Sequence, residues 1–179
     1  MKSPIKRDAN SVATMPVGKI FTLVFLKRNN SVLLGLKTRG LGEGLWNGFG
    51  GKVEENETVA NCARREVEEE CGVIASDLKQ IGVVRYDLDY DKSADVVHIF
   101  TCSKFDGSEK PSEEMNPIKW YKYTDIPFEQ MWPDASKWYP FMLKDKYFSA
   151  RVIYTDKNTI KDSIIQEFGS LSNALKLAQ

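Results

Sequence analysis

The feature that most constrains this chain is an acidic helix that follows a glycine-rich loop. Thr58 can cap the amino end of the predicted helix, and Gly72 can end it. At about 100° per residue, three carboxylates fall within one arc of the helix: Glu66, Glu69 and Glu70. The adjacent arc is apolar and should face the core: Ala60, Ala63, Val67 and Cys71. Glu68 points away from both arcs, toward solvent.

Three carboxylates on one helix face repel each other, and Glu66 with Glu70 is an unfavourable i,i+4 pair. A folded protein tolerates such a cluster most readily when a cation lies among the carboxylates. Because all the donors are oxygens, a hard ion is expected, Mg²⁺ or else Mn²⁺. The alternative is an acidic face that is simply solvated, which is the usual explanation of a charge run.

The segments around this helix predict an α+β fold. Residues 20–26 and 31–37 are β-branched apolar runs separated by a short polar turn, which predicts a hairpin. Further strands are expected at 84–90, 96–102, 118–121, 150–155 and 163–168, and a short helix at 135–144. The 179 residues suit one domain, a mixed sheet packed by helices.

Composition excludes several classes of function. Lys plus Arg and Asp plus Glu both total 25, so no basic field favours a nucleic-acid polymer. No apolar run is long enough for a membrane span. The three cysteines, without CxxC spacing, argue against a zinc site or a disulfide framework and favour a reducing compartment. We therefore expect a small-molecule partner and a cytoplasmic location.

The two ends of the chain are expected to lie outside the domain, which we place at 19–169. Residues 1–18 lack the apolar run of a secretory signal, and we interpret them as a disordered extension. Lys2, Lys6 and Arg7 leave a mitochondrial presequence as the alternative, and a mitochondrial or nuclear fraction stays open. Residues 170–179 are interpreted as a weakly helical tail.

The helix and its preceding loop match a long sequence signature, Gly-x5-Glu-x7-Arg-Glu-U-x-Glu-Glu-x-Gly-U, where U is apolar. The matching residues are Gly51, Glu57, Arg65, Glu66, Val67, Glu69, Glu70, Gly72 and Val73. On this signature the chain is identified as a member of the Nudix hydrolase superfamily. The resemblance implies a mixed sheet sandwiched between helices (α/β/α) and hydrolysis of a nucleoside diphosphate linkage with Mg²⁺.

The resemblance also implies roles for individual residues. The divalent ions would be held by the Gly50 carbonyl together with Glu66, Glu69, Glu70 and Glu114. One of these glutamates or Glu114 would activate water, and which acid is the base stays open. Arg65 and Glu57 resemble a structural pair that braces the loop against the helix, while Lys52 is expected to meet phosphate.

Two further stretches, 46–52 and 131–134, are similar to the eukaryotic MutT homologues, the oxidised purine nucleoside triphosphatases. The likeness runs from Phe21 to about Phe168. It implies a monomer that cuts a nucleotide such as 8-oxo-dGTP between its α- and β-phosphates, yielding the monophosphate and pyrophosphate.

Within that family the base lies in a pocket, and the family's pocket residues match Asn47, Trp132 and Asp134. Asn47 can pair with a purine edge, and Trp132 offers a flat surface for stacking. For these three the alternatives are a turn residue, a core residue and a helix N-cap, respectively. Further matches to substrate-binding positions are Thr22, Lys37 and Gly51.

The chain departs from the family where base choice is made. A second aspartate that follows the first in the family is Ala135 here, and pocket phenylalanines are replaced by Leu41, Tyr86 and Leu88. Two adjacent acids can share a proton, whereas Asp134 stands without that neighbour. We therefore expect an ionised Asp134 that only accepts hydrogen bonds, and a preference for 8-oxo-dGTP over 2-hydroxy-dATP.

Two other functions stay open. Dinucleoside polyphosphate hydrolases of the same superfamily often carry a tyrosine downstream of the signature, and Tyr90 lies at about that distance, although strands favour tyrosine in any case. A catalytically inactive nucleotide-binding module is disfavoured, because a binder needs no carboxylate cluster. His98 lies in a strand pattern and is expected to be structural.

Overall fold

The computed structural model describes residues 15–176. Its strands are β1 (Val17–Arg28), β2 (Ser31–Lys37), β3 (Trp46–Asn47), β4 (Ile74–Ala75), β5 (Lys79–Leu88), β6 (Ser93–Cys102), β7 (Phe105–Asp106), β8 (Met115–Lys122), β9 (Tyr147–Tyr154) and β10 (Ile160–Phe168). Its helices are α1 (Val59–Cys71), α2 (Ala135–Leu143) and α3 (Leu171–Leu175), with a 3₁₀ turn at Phe128–Gln130. The predicted acidic helix, the later strands and the short helix near 135–144 are therefore present.

The sheet is mixed, with strand order β10-β9-β5-β6-β1-β2-β3 and β8 paired to β2. Within it β1 runs parallel to β6, and β5 runs parallel to β9. The other neighbours pair antiparallel. This arrangement confirms the predicted α+β class.

Strand β1 separates two hydrophobic clusters because its side chains alternate between the two faces of the sheet. Leu23 and Phe25 pack into a cluster with α2, where the Phe25 and Tyr139 rings meet edge to face at 5.0 Å. Val24 and Leu26 pack into the cluster that holds the apolar arc of α1. The sheet is thus covered on both faces, as the α/β/α resemblance implies.

The predicted hairpin between β1 and β2 is right only at its turn. Asn29 and Asn30 take positive φ angles of 50° and 56°, which suits a two-residue turn. Only the pairs Lys27 with Val32 and Arg28 with Ser31 then join the two strands. Further along, this edge of β1 bonds instead to residues 49–53, so β2 diverges from it.

The strand predicted at 84–90 is β5, which ends at Leu88, and its charged side is buried rather than solvated. Arg85 donates to Asp87 at 3.0 Å, and Arg151 on β9 also donates to Asp87. Arg85 further donates to the carbonyl of Met15. Both faces of β5 are therefore covered, and the side that carries Tyr86 and Leu88 lines a cavity.

Most of the predicted amino-terminal extension, residues 1–14, lies outside the described residues, so that interpretation stays a prediction. Strand β1 begins at Val17, and α3 lies within the predicted tail, where Leu175 packs near Val83 and Val96. Across residues 15–176, no helix is both long and apolar enough to cross a membrane.

Candidate functional site

The glycine-rich loop is held against β1 by backbone hydrogen bonds. Thr22 N donates to the Gly51 carbonyl at 2.9 Å, and Val24 exchanges bonds with Phe49 at 2.7 and 3.0 Å. Such close approach explains a glycine at position 50, since a Cβ there would lie 2.7 Å from the carbonyl carbon of Thr22. The loop is therefore fixed to the sheet directly beside α1.

Helix α1 has the predicted caps. The Thr58 hydroxyl accepts from Asn61 N at 3.2 Å, and Gly72 ends the helix with a φ of 75°. Its buried face includes Ala63, Val67 and Cys71 as expected, together with Cys62 and Glu70. The remaining glutamates of the cluster turn toward the loop and solvent.

Arg65 forms the centre of the bracing contact between loop and helix. Its guanidinium donates to both carboxylate oxygens of Glu57, at 2.9 and 3.0 Å. This hydrogen bonding lowers the pKa of Glu57 to about 2. Arg65 also pairs with Glu66 at 2.8 Å and with Glu69 at 3.2 Å. One arginine therefore partly neutralises the glutamates that were expected to repel each other.

Glu70 is the most buried member of the acidic cluster, with only 4% of its surface exposed. It accepts from Gly50 N at 2.8 Å and from Lys37 Nζ at 3.0 Å. Burial raises the pKa of Glu70, and the charge of Lys37 opposes that shift. Burial also raises the pKa of Glu66, with Arg65 opposing it.

Glu114, distant in sequence, joins this cluster through two cations. Lys37 Nζ lies 2.9 Å from one of its carboxylate oxygens and Arg39 lies 2.7 Å from the other. Hydrogen bonds from Arg39 and then Lys37 lower the pKa of Glu114. Lys37 thus bridges Glu70 and Glu114.

The donor chemistry of this cleft fits a hard divalent ion, because the carboxylates of Glu66, Glu69, Glu70 and Glu114 offer only oxygens. Among residues 15–176 no three acidic, histidine or cysteine side chains converge on one point. Lys37 and Arg65 form ion pairs with those carboxylates instead. A metal bound here would replace contacts that the two side chains now make.

A cavity of about 570 Å³ opens beside the acidic cleft, a volume suited to a small-molecule ligand. The two spaces share wall residues, namely Lys37, Arg39, Gly50, Gly51 and Glu114. The predicted pocket residues Thr22, Asn47, Trp132 and Asp134 line the cavity, whereas Lys52 lines the acidic cleft. A ligand can therefore reach from one space into the other.

Trp132 exposes part of its ring to the cavity, whereas the side chain of Thr22 is buried. Trp132 is half-buried, lies outside the buried core clusters and lines the cavity. A Cβ at Gly42 would lie 3.2 Å from its ring, so the loop before β3 touches the indole. The Thr22 hydroxyl lies 3.4 Å from Cys62 Sγ and is buried.

The orientation of Asn47 is set by its neighbours. Its Oδ1 accepts from Gly48 N at 2.9 Å and from the Tyr139 hydroxyl at 3.4 Å. Because both neighbours donate, the atom facing them must be the amide oxygen, and the other atom of the side-chain amide is the nitrogen.

Asp134 is the N-cap residue of α2, as the alternative predicted, but its side chain makes no capping hydrogen bond. The carboxylate accepts from Tyr86 and Trp138 at 2.8 and 2.7 Å, and from Tyr154 at 2.7 Å. Ala135, the next residue, is buried.

Several residues of the site were not predicted from the sequence. No sequence pattern indicates Arg39, Tyr139 or Tyr154, because the partner of each is distant in sequence and is brought near only by folding. Trp138 could have been found, since it stands four residues after Asp134 on the predicted helix and so on the same side. His98 contacts Gln80 at 2.7 Å and lines neither space.

A family model described as NUDIX domain matches residues 18–142. Together with the mixed sheet, the glycine loop and the glutamate helix, this match shows that the chain belongs to the Nudix family.

Two curated relatives are more specific. The chain is 38% identical over 156 residues to the oxidized purine nucleoside triphosphate hydrolase of Mus musculus, covering 87% of this chain and 99% of that protein. It is also 38% identical over 157 residues to the protein of the same name from Danio rerio, covering 88% and 100%. Among solved structures, a MutT protein from Bacillus halodurans superimposes with a TM-score of 0.73 at 22% identity, covering 82% of this chain and 97% of that one. That structure supports the fold alone.

Proposed function

We propose that this protein hydrolyses oxidised purine nucleoside triphosphates such as 8-oxo-dGTP to the monophosphate and pyrophosphate, thereby sanitising the nucleotide pool. The observation that carries the proposal is the continuity between the cavity that holds Asn47, Trp132 and Asp134 and the glutamate cleft. A purine in the cavity would direct its phosphates toward the carboxylates. The similarity to the two named triphosphate hydrolases supports the same substrate class.

The metal in this proposal is Mg²⁺, with Mn²⁺ able to replace it. The Gly50 carbonyl, Glu66, Glu69, Glu70 and Glu114 would hold it. Bound there, the ion would neutralise the diphosphate and lower the pKa of the attacking water.

The protein's own residues have distinct tasks in this scheme. Arg65 and Glu57 keep the loop at a fixed distance from α1. Lys37 and Lys52, at the wall of the cleft, would contact phosphate oxygens. The base that takes the proton from water is one of the cleft glutamates or Glu114.

A nucleotide panel tests the proposal. The protein is incubated with Mg²⁺ and 8-oxo-dGTP, 2-hydroxy-dATP, dGTP or a dinucleoside tetraphosphate, and the products are separated by ion-exchange chromatography. Cleavage of a triphosphate is read as nucleoside monophosphate and pyrophosphate, and cleavage of the tetraphosphate as its nucleotide products, which include no pyrophosphate. We expect the oxidised purines to be cut most efficiently, and the Glu70→Gln control to be about 100-fold slower. Efficient turnover of dGTP alone, or of none of the four, would contradict the proposal.

One observation keeps dinucleoside polyphosphates as a second candidate substrate class. Tyr90 lines the rim of the cavity and is 51% exposed, so it could stack on a second base. The same panel decides between the two classes. We propose that the enzyme acts as a monomer, which light scattering in solution would check.

A further inference from the structure

The carboxylate of Asp134 lies at the cavity wall, only 1% exposed, with three hydrogen-bond donors around it. Trp138 Nε1 and the Tyr86 hydroxyl both donate to Oδ2, and the Tyr154 hydroxyl donates to Oδ1. An indole N–H can only donate. One side of the carboxylate is therefore committed to accepting.

The hydroxyls of Tyr86 and Tyr154 keep their protons and so remain hydrogen-bond donors. Burial, followed by the charge of Asp134, raises the pKa of Tyr86 well above its usual value. The same two causes, in the same order, raise the pKa of Tyr154. A carboxylate has about four lone-pair sites, and three are used here. The remaining site belongs to Oδ1, which accepts from Tyr154 alone.

Asn47 offers the ligand a hydrogen-bond donor, whereas Asp134 offers an acceptor. Because Gly48 N and the Tyr139 hydroxyl both donate to its Oδ1, its amide nitrogen is left to donate. None of the described residues accepts a hydrogen bond from that nitrogen. The cavity thus offers a ligand one fixed donor and one fixed acceptor.

We infer that Tyr86 and Tyr154 are positioning residues that hold Asp134 as an acceptor, and that the cavity therefore selects a keto-purine edge over an amino-purine edge. A keto purine of the guanine type presents a carbonyl to Asn47 and an N–H to Asp134. An amino purine presents these groups in the reverse order. A phosphate held in the acidic cleft would prevent the base from turning to correct the mismatch. This inference rests on the proposed function, since it assumes that the base enters the cavity.

The test uses Tyr86→Phe, Tyr154→Phe and the double variant. Dissociation constants for 8-oxo-dGMP and 2-hydroxy-dAMP are measured by calorimetry with Mg²⁺ present. Both are reaction products and are not hydrolysed, so binding is read apart from turnover. We expect the parent to bind 8-oxo-dGMP at least about tenfold more tightly, the discrimination of one mismatched buried polar pair. Each lost hydroxyl should narrow this ratio about threefold to tenfold, because Asp134 is then free to rotate or to carry a proton.

Phenylalanine should be accommodated at position 86, since the change removes only the hydroxyl and keeps the ring. Tyr147→Phe is the matched control, because Tyr147 lies on the same strand as Tyr154 but lines neither space. Its ratio should equal that of the parent. Thermal unfolding of every variant reports any loss of fold.

An unchanged ratio in the double variant would overturn the inference, whether the two affinities stay the same or fall together. A parent that binds both monophosphates equally well would also overturn it. Failure of the proposed function has a different signature, namely no pyrophosphate from 8-oxo-dGTP, and leaves the binding ratio measurable.

Discussion

Two adjacent glycines should differ in how much the same added methyl group lowers the stability of the protein. Neither Gly50 nor Gly51 has a positive φ, so alanine is allowed by the backbone and only contacts decide the outcome. At Gly50 the new Cβ would lie 2.7 Å from the Thr22 carbonyl carbon and 2.9 Å from Leu23 Cα. At Gly51 it would lie 2.5 Å from the Glu66 carboxyl carbon, the end of a flexible side chain.

For Gly50→Ala the obstacle is backbone, which cannot rotate away. Overpacking of this kind costs about 1–3 kcal/mol, and a rigid neighbour places the cost at about 3 kcal/mol. For a chain of this size that corresponds to a fall in Tm of about 6–12 °C. The clash also shifts the Gly50 carbonyl, a proposed metal ligand, and the Gly50 N–H that donates to Glu70, so kcat should fall together with Tm.

For Gly51→Ala the Glu66 carboxylate must move and loses its contact with Arg65. That ion pair is partly exposed and contributes at most about 1 kcal/mol, so Tm should fall by no more than about 4 °C. We expect kcat to fall about 100-fold, because Glu66 leaves the position from which it would hold metal.

The assays are thermal unfolding by circular dichroism and pyrophosphate release from 8-oxo-dGTP. Gly169→Ala serves as the control, since a Cβ there meets nothing within 4 Å. A fully active Gly51→Ala protein would refute the placement of Glu66 in the site. A Gly50→Ala protein as stable as the parent would refute the packing argument.

Four further predictions follow from the site. Glu69→Gln and Glu70→Gln should each lower kcat about 100-fold with Tm retained, and near-normal Mg²⁺-dependent turnover by both would contradict the metal site. Trp132→Ala should raise KM and weaken binding by about 1–3 kcal/mol with little change in Tm, whereas a destabilised protein with unchanged KM would indicate a core residue. Since the pKa of Glu57 is lowered from 4.5 to about 2, its stabilising effect is present above about pH 4.5 and is lost as the pH falls toward 2. Glu57→Gln should therefore destabilise the protein in urea at pH 7 and make no difference near pH 2; equal effects at both would argue against the Arg65 contact. Ala135→Asp should narrow the preference for 8-oxo-dGTP over 2-hydroxy-dATP, measured as kcat/KM for both nucleotides, and no narrowing would show that this position does not set base choice.

Local patterns predicted much of this molecule, because the helix and strand periods are written in neighbouring residues. Thr58 and Gly72 marked the ends of α1, and the arc of Val67 and Cys71 marked its buried face. The divergence of β2 from β1 was not predictable in this way, since it depends on Phe49 bonding to Val24 across the sheet edge.

The same holds for the site: residues close together in sequence were predictable, and those that meet only in the fold were not. The spacing of the glutamates indicated their common face, but nothing near them in sequence pointed to Lys37, which lies between Glu70 and Glu114. The donors around Asp134 come from two strands and a helix, and only Trp138 is close to Asp134 in sequence. Long-range polar contacts require the three-dimensional fold, and sequence periodicity does not encode them.

The pairing of the glycine loop with β1 has a consequence for cooperativity. Residues 49–53 are bonded to β1, whose other edge pairs with β6 along nearly its whole length. The loop therefore belongs to the unit of structure that opens only when the central sheet opens. The part of the site proposed to carry the metal is as resistant to local unfolding as the core, and a substitution that loosens β1 far from any ligand would loosen the position of Gly50 as well.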